Sequence, residues 1–293
     1  MSALESRAQV VKLAHLLGTE PEALPGLEEA PPDDLRALRA LVAESLFASQ
    51  RGAFQRAAAL AGILPAALAA KLAERVLGPL LSARSAGLLE HGKATEMLEH
   101  LSPGFLAEVA VALEPSQASG VIGLVPIDLV TEVAVHLDRR DEHVTMAGFV
   151  DQFDEDTLTA AMAALSDEGL LHTGFVVEDK SRLDGIVGHL SDRRVQRIIE
   201  VVARKALWEE ALDLTDRLGD EQRARLAAQV GDLPDEAIDG LLAALAADPT
   251  LRPSARRLAD AIPDGQRDRI LARGDALGLD TADLAELREA LGA

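Results

Sequence analysis

The chain has 293 residues, 48% of them hydrophobic and only 2% aromatic, with no cysteine and a net charge of −20. That apolar content argues against disorder, and the missing cysteine excludes disulfides, thiolate nucleophiles and cysteine-based zinc sites. An acidic surface repels nucleic acid and anionic lipid, because phosphate binding needs clustered lysine and arginine.

Leu, Ala and Val dominate, Tyr is absent and Trp208 stands alone, a composition that predicts an all-helical fold. No window approaches about 18 uninterrupted apolar residues, so no membrane insertion is expected. The start carries an early acid, Glu5, and no apolar core, which is unlike a secretory signal and sets a cytoplasmic expectation. Charge is unevenly spread. Residues 1–90 hold 10 acids against 9 bases, leaving 39 acids against 20 bases in the remainder.

In chain order, a helix is expected over Ala3–Leu17, apolar at Val10, Val11, Leu13, Ala14 and Leu17 and ended by Gly18. A proline-rich passage from Glu20 to Pro32 reads as an extended loop. Asp33 and Asp34 open a second helix running to Ser49, with Leu35, Leu38, Leu41, Val42 and Leu46 on one face. Gly52, Gly62, Pro65, Gly78, Pro79 and Gly87 cut the next stretch into three helices, Gly52–Ala61, Pro65–Leu77 and Pro79–Leu89, which complete an N-terminal cap over 1–90.

From Leu98 onward an apolar residue closes a phrase at almost constant intervals: Leu101, Leu113, Val125, Leu137, Phe153, Leu165, Val177, Leu190 and Val202. Helix-start signals follow each, such as Ser102-Pro103, Pro126-Ile127-Asp128, Asp154-Glu155-Asp156 and Ser166-Asp167-Glu168. They supply side-chain oxygens or a proline where the first helical N–H groups lack partners. Stacked short helices, two per unit of about 24 residues, are the expected result. The phrase continues more widely spaced through Leu218, Leu233 and Leu245, so the array is placed at 91–250. A helical extension over 251–293 closes the chain, its last helix expected at Thr281–Leu291.

The phrase from His100 to Leu113, His-Leu-Ser-Pro-Gly-Phe-Leu-Ala-Glu-Val-Ala-Val-Ala-Leu, and the phrase from Phe153 to Leu165 resemble the intracellular N-terminal domain of MgtE-type magnesium transporters. The middle domain of the flagellar motor switch protein is similar. The resemblance covers roughly 90–245 and implies a right-handed superhelix of short helices. It is specific for architecture: no regulatory domain pair or membrane domain accompanies the phrases, and the Glu-His-Pro-Gln motif of the flagellar protein is missing.

Chemistry is sparse. His100, His136 and His189 each precede a closing apolar residue, with Glu96 and Glu132 four positions before the first two. Such pairs can orient an imidazole, but helices on alternate sides do not bring them together. A histidine bonding the last carbonyls of its helix accounts for the position. No phosphate-loop, zinc-protease, dinucleotide or nucleophile-elbow motif occurs, so no catalytic residue, cofactor or metal site is expected.

Between Val144 and Val187 stand Met146, Phe149, Phe153, Met162, Leu171, Phe175 and Ile186, interspersed with Gly148, Gly169, Gly174, Gly185 and Gly188. Glycine in a helix costs about 1 kcal/mol against alanine. Close packing is one offset; a cavity for an apolar ligand lined by those seven side chains is the other. The leading expectation is a non-enzymatic scaffold that binds a protein partner through the acidic superhelix. The alternative is a carrier or sensor of a hydrophobic small molecule, lipid- or terpenoid-like.

Overall fold

Capped starts and apolar phrase ends about a dozen residues apart make a chain of short helices. A computed structural model describes residues 2–48 and 51–277, and among them every regular element is helical and no strand occurs. The helices are α1 (Ser2–Leu17), α2 (Pro32–Ala48), α3 (Arg51–Ile63), α4 (Ala66–Leu72), α5 (Gly78–Ala86), α6 (His91–Leu98), α7 (Pro103–Ala112), α8 (Pro115–Ile122), α9 (Ile127–Asp138) and α10 (His143–Phe149). They continue with α11 (Glu155–Ala164), α12 (Asp167–Val176), α13 (Leu183–Gly188), α14 (Asp192–Lys205), α15 (Trp208–Thr215), α16 (Asp220–Gly231), α17 (Asp235–Ala247), α18 (Arg252–Ala259) and α19 (Asp264–Ala276). The helix expected at Thr281–Leu291 lies outside the described residues. No described helix is long and apolar enough to cross a membrane.

The start signals act as their chemistry requires. Ser102 Oγ accepts from the Phe105 N–H, Asp154 Oδ1 from the Thr157 N–H and Ser166 Oγ from the Gly169 N–H, each satisfying an orphan donor of the first turn. Gly18 ends α1 at φ +65, a left-handed conformation that costs glycine nothing. The proline-rich passage is tighter than expected and contains two 3-10 turns, Pro21–Ala23 and Leu27–Glu29.

Two compact units result: Met1–Gly169 with Val176–Glu178, and Leu170–Phe175 with Asp179–Ala293. Core residues lie on both sides of positions 90 and 250. Ala61, Ala69, Ala73 and Ala83 share a core with Met97, Phe105 and Val109, and Leu245 shares one with Leu251 and Ala255.

In the first unit the helices from α3 to α9 each pack on their next-but-one neighbour, while α1 packs on α2. One row runs α5 on α7, α7 on α9 and α9 on α11; another runs α4 on α6 and α6 on α8. Helices of seven to twelve residues are marginal alone, so these rows hold them. An acid from an earlier turn reinforces two later helix starts. Glu74 accepts from Ser102 N and Oγ at 2.7 and 2.8 Å, and Asp138 from Ser166 N and Oγ at 2.8 and 3.0 Å.

In the second unit contact recurs at every third helix: α13 on α16 and α16 on α19, α14 on α17, α15 on α18. The same side-chain device repeats with it. Arg225 bonds Asp192 at the start of α14 and the carbonyls of Val187 and Leu190 just before it. Arg269, 44 positions later in the sequence, bonds Asp235 at the start of α17 and the carbonyls of Gly231 and Leu233. Arg223 and Arg267 stand in the same relation, each reaching back to the residue closing the preceding phrase, Leu218 and Ile262. One guanidinium thus satisfies the end of one helix and the charge at the start of the next.

Candidate functional site

The seven side chains singled out as a possible ligand lining divide between the two units. Met146 packs with Ala107 and Leu137, and Phe153 against Val130, Ala134 and Ala161. Phe149 stacks on Phe153 with ring centroids 6.4 Å apart, and Met162 is buried. These four belong to the first unit. In the second, Leu171 joins the core of Trp208 and Ile238, Phe175 lies 5.5 Å beneath Lys180 Nζ, and Ile186 is half-buried. Of these side chains, Phe149 and Phe153 are brought into ring contact.

The glycines have separate reasons. At Gly169 a Cβ would fall 1.8 Å from Asp138 Oδ1, the carboxylate that holds Ser166, so the position must stay bare for a polar contact. At Gly185 nothing lies within 4 Å, and at Gly148 the nearest atom is Pro115 Cγ at 3.5 Å. At Gly174 a Cβ would meet Leu214 Cδ1 at 3.6 Å and Leu183 Cδ2 at 3.9 Å, ordinary contact that leaves no room beyond. Gly174→Leu should therefore overpack this core and lower stability by about 1–3 kcal/mol. Urea unfolding checks this, and an unchanged midpoint would reveal free space there.

His189 bonds the Gly185 carbonyl through Nδ1 at 2.7 Å as α13 ends. No three described His, Asp or Glu residues cluster closely enough to hold a metal ion.

A polar line that the sequence does not announce runs inside α1. Ser6, Gln9 and Lys12, spaced three apart, are buried, and His15 continues the line. Ser6 Oγ donates to the Ala30 carbonyl at 2.8 Å, while Gln9 Oε1 is buried with no hydrogen-bond partner among the described residues. Lys12 reaches Glu178 at 3.1 Å, and Arg39 of α2 bonds the same carboxylate oxygen. His15 Nε2 lies 3.2 Å from Thr145 Oγ1, which donates to Glu142. Burial pulls the Lys12 ammonium down to about 8, outweighing the Glu178 charge that supports it, and Arg39 and Arg36 add repulsion. Glu178 moves to the favourable side. Burial works to raise it, but Lys12 and Arg39 together hold it below the usual carboxylate range. The asymmetry follows from exposure: the Lys12 side chain is 6% exposed, whereas Glu178 keeps 35%.

The second feature is an inversion in the N-terminal helices. Across α3, α4, α5 and the π-helical turn Ala73–Leu77, the buried apolar residues among the described side chains are alanines: Ala58, Ala61, Ala69, Ala70, Ala73 and Ala83. Several larger aliphatic side chains face outward, while Leu72, Leu77 and Leu81 are half-buried. Ile63 is 83% exposed and Val76 71%, with Leu60, Leu68, Leu80 and Leu88 exposed as well. A lone surface leucine needs no explanation, but a helix group that buries alanines and leaves several larger aliphatic residues exposed does. Beside it an open groove of about 610 Å³ lies between Ala58, Ala59 and Gly62 of α3 and Leu88, Leu89, Glu90, Lys93 and Glu96, with Lys93 paired to Glu96. Sequence reading located these helices and missed the inversion, because Leu and Ala look alike in an apolar pattern. The signal was the charge. Between Arg51 and Leu89 five bases stand against Glu74 alone, in a chain of net −20.

No family model, no curated protein and no solved structure matches this chain.

Proposed function

We propose that the chain is a non-enzymatic, cytoplasmic protein-interaction scaffold, its helices stacked into a right-handed superhelix like the MgtE-type domain its central phrases resemble. The observation that carries this reading is the repetition of one inter-helix device, the arginine staple of Arg225 and Arg269, together with regular next-but-one and every-third-helix packing. Repeats that contact only their neighbours build an extended surface without a deep central pocket, and extended surfaces serve partner proteins. The acids that open the array's helices put negative charge along that surface, which suits a basic or amphipathic partner segment.

Native mass spectrometry of the purified chain tests the reading. The scaffold predicts the mass of the polypeptide alone. A stoichiometric apolar adduct surviving purification would replace it with a small-molecule carrier.

A further inference from the structure

The strongest unassigned feature is the inverted face of α3, α4 and α5. Five of its exposed aliphatic side chains, Leu60, Ile63, Leu68, Val76 and Leu80, come from elements packed on one another, and Leu88 lies in the turn after α5. The alanines beneath them already fill the core shared with Met97, Phe105 and Val109, so turning the leucines inward would overpack it. The large side chains are placed to be covered from outside.

Charge selects what covers them. Arg56, Lys71 and Arg75 are exposed on the same helices. The one acid among them, Glu74, is committed to Ser102, whose backbone N–H and hydroxyl hold its carboxyl below the usual range. The face is thus apolar and cationic. A second copy would bring like charges together, and an anionic bilayer would meet a chain carrying −20. An acidic amphipathic helix satisfies both features at once. Its leucines would cover the aliphatic set, and its carboxylates would meet the three bases, away from the groove that Glu90 and Glu96 line.

We propose that the inverted face of α3–α5 docks an acidic amphipathic helix of a partner protein. The inference rests on the interaction reading above but not on the superhelix, and the two fail separately: an apolar adduct in the native mass spectrum sinks the first, the titration below the second.

The test uses the full chain and a fluorescein-labelled synthetic helix of about 16 residues, with leucines at i, i+3, i+4 and i+7 and glutamates between. A companion peptide carries lysine in place of glutamate. In anisotropy titrations at about 150 mM salt, the acidic peptide should bind at least tenfold tighter than the lysine peptide. Ile63→Asp and Val76→Asp, both at exposed positions, should each weaken binding at least tenfold, and Lys71→Glu several-fold, with unchanged circular dichroism. Four results would overturn the proposal. These are equal binding of both peptides, acidic-peptide binding that survives Ile63→Asp, binding to phosphatidylglycerol vesicles in place of the peptide, and no peptide binding alongside a dimer in light scattering that Ile63→Asp dissolves.

Discussion

Glu178→Gln should lower the stability of the first unit by about 3 kcal/mol at pH 7, because it removes the counter-charge from a lysine only 6% exposed. The figure sits at the low end for a broken buried pair, since Glu178 itself keeps a wet edge. Lys12→Met should act in the opposite direction. The methionine fills similar space without a charge to desolvate, Glu178 retains Arg39, and about 1–3 kcal/mol is gained. The pH dependence fixes the sign. Lys12 titrates near 8 in the folded chain against 10.5 in the open one, so between those values the unfolded state holds the extra proton and this group's contribution to stability rises with pH. The advantage of Lys12→Met should therefore shrink as pH climbs through that window. Glu178, held low, contributes stability that is present above the ordinary carboxylate value and is lost as pH falls through its folded value. Urea titrations at pH 7 and pH 10 check both variants. An advantage that grows with pH would mean Lys12 is not held at a cost.

Leu245→Ala should cost about 3–4 kcal/mol, while Ile63→Ala should change stability by no more than about 0.5 kcal/mol. Leu245 closes a phrase and is 2% exposed within the core of Ile238, Leu242 and Leu251; Ile63 is a larger-than-alanine residue left 83% exposed. Equilibrium unfolding of both variants is the check. Equal losses would mean that the aliphatic face of α3 is already packed in the isolated chain.

How far the sequence reveals these features follows from the physics of each. Period and caps are local, so the helices of the array and their starts were readable: Ser102 and Asp154 cap as their position implies, and Leu137, Val202, Leu218, Leu233 and Leu245 are buried at phrase ends. Polar partners far apart in the chain were not. Lys12 and Glu178 meet across most of the first unit's sequence, and nothing in the pattern of α1 distinguishes a buried lysine from a solvated one. The three-helix recurrence in the second unit was half visible. Gln222-Arg223-Ala224-Arg225 returns as Gln266-Arg267-Asp268-Arg269, but a search tuned to phrases of 12 residues passes over a period of 44. The candidate lining was ambiguous for a plainer reason: Met, Phe and Leu serve any core, and Met146, Phe153 and Leu171 each sit in a different one.

The central claim is that the repeated packing carries through into an extended superhelical scaffold, and small-angle X-ray scattering addresses it most directly. A compact chain of this length has a radius of gyration of about 19 Å. The scaffold predicts a clearly larger value and an asymmetric pair-distance distribution with a long tail. A radius near 19 Å with a symmetric distribution would contradict it.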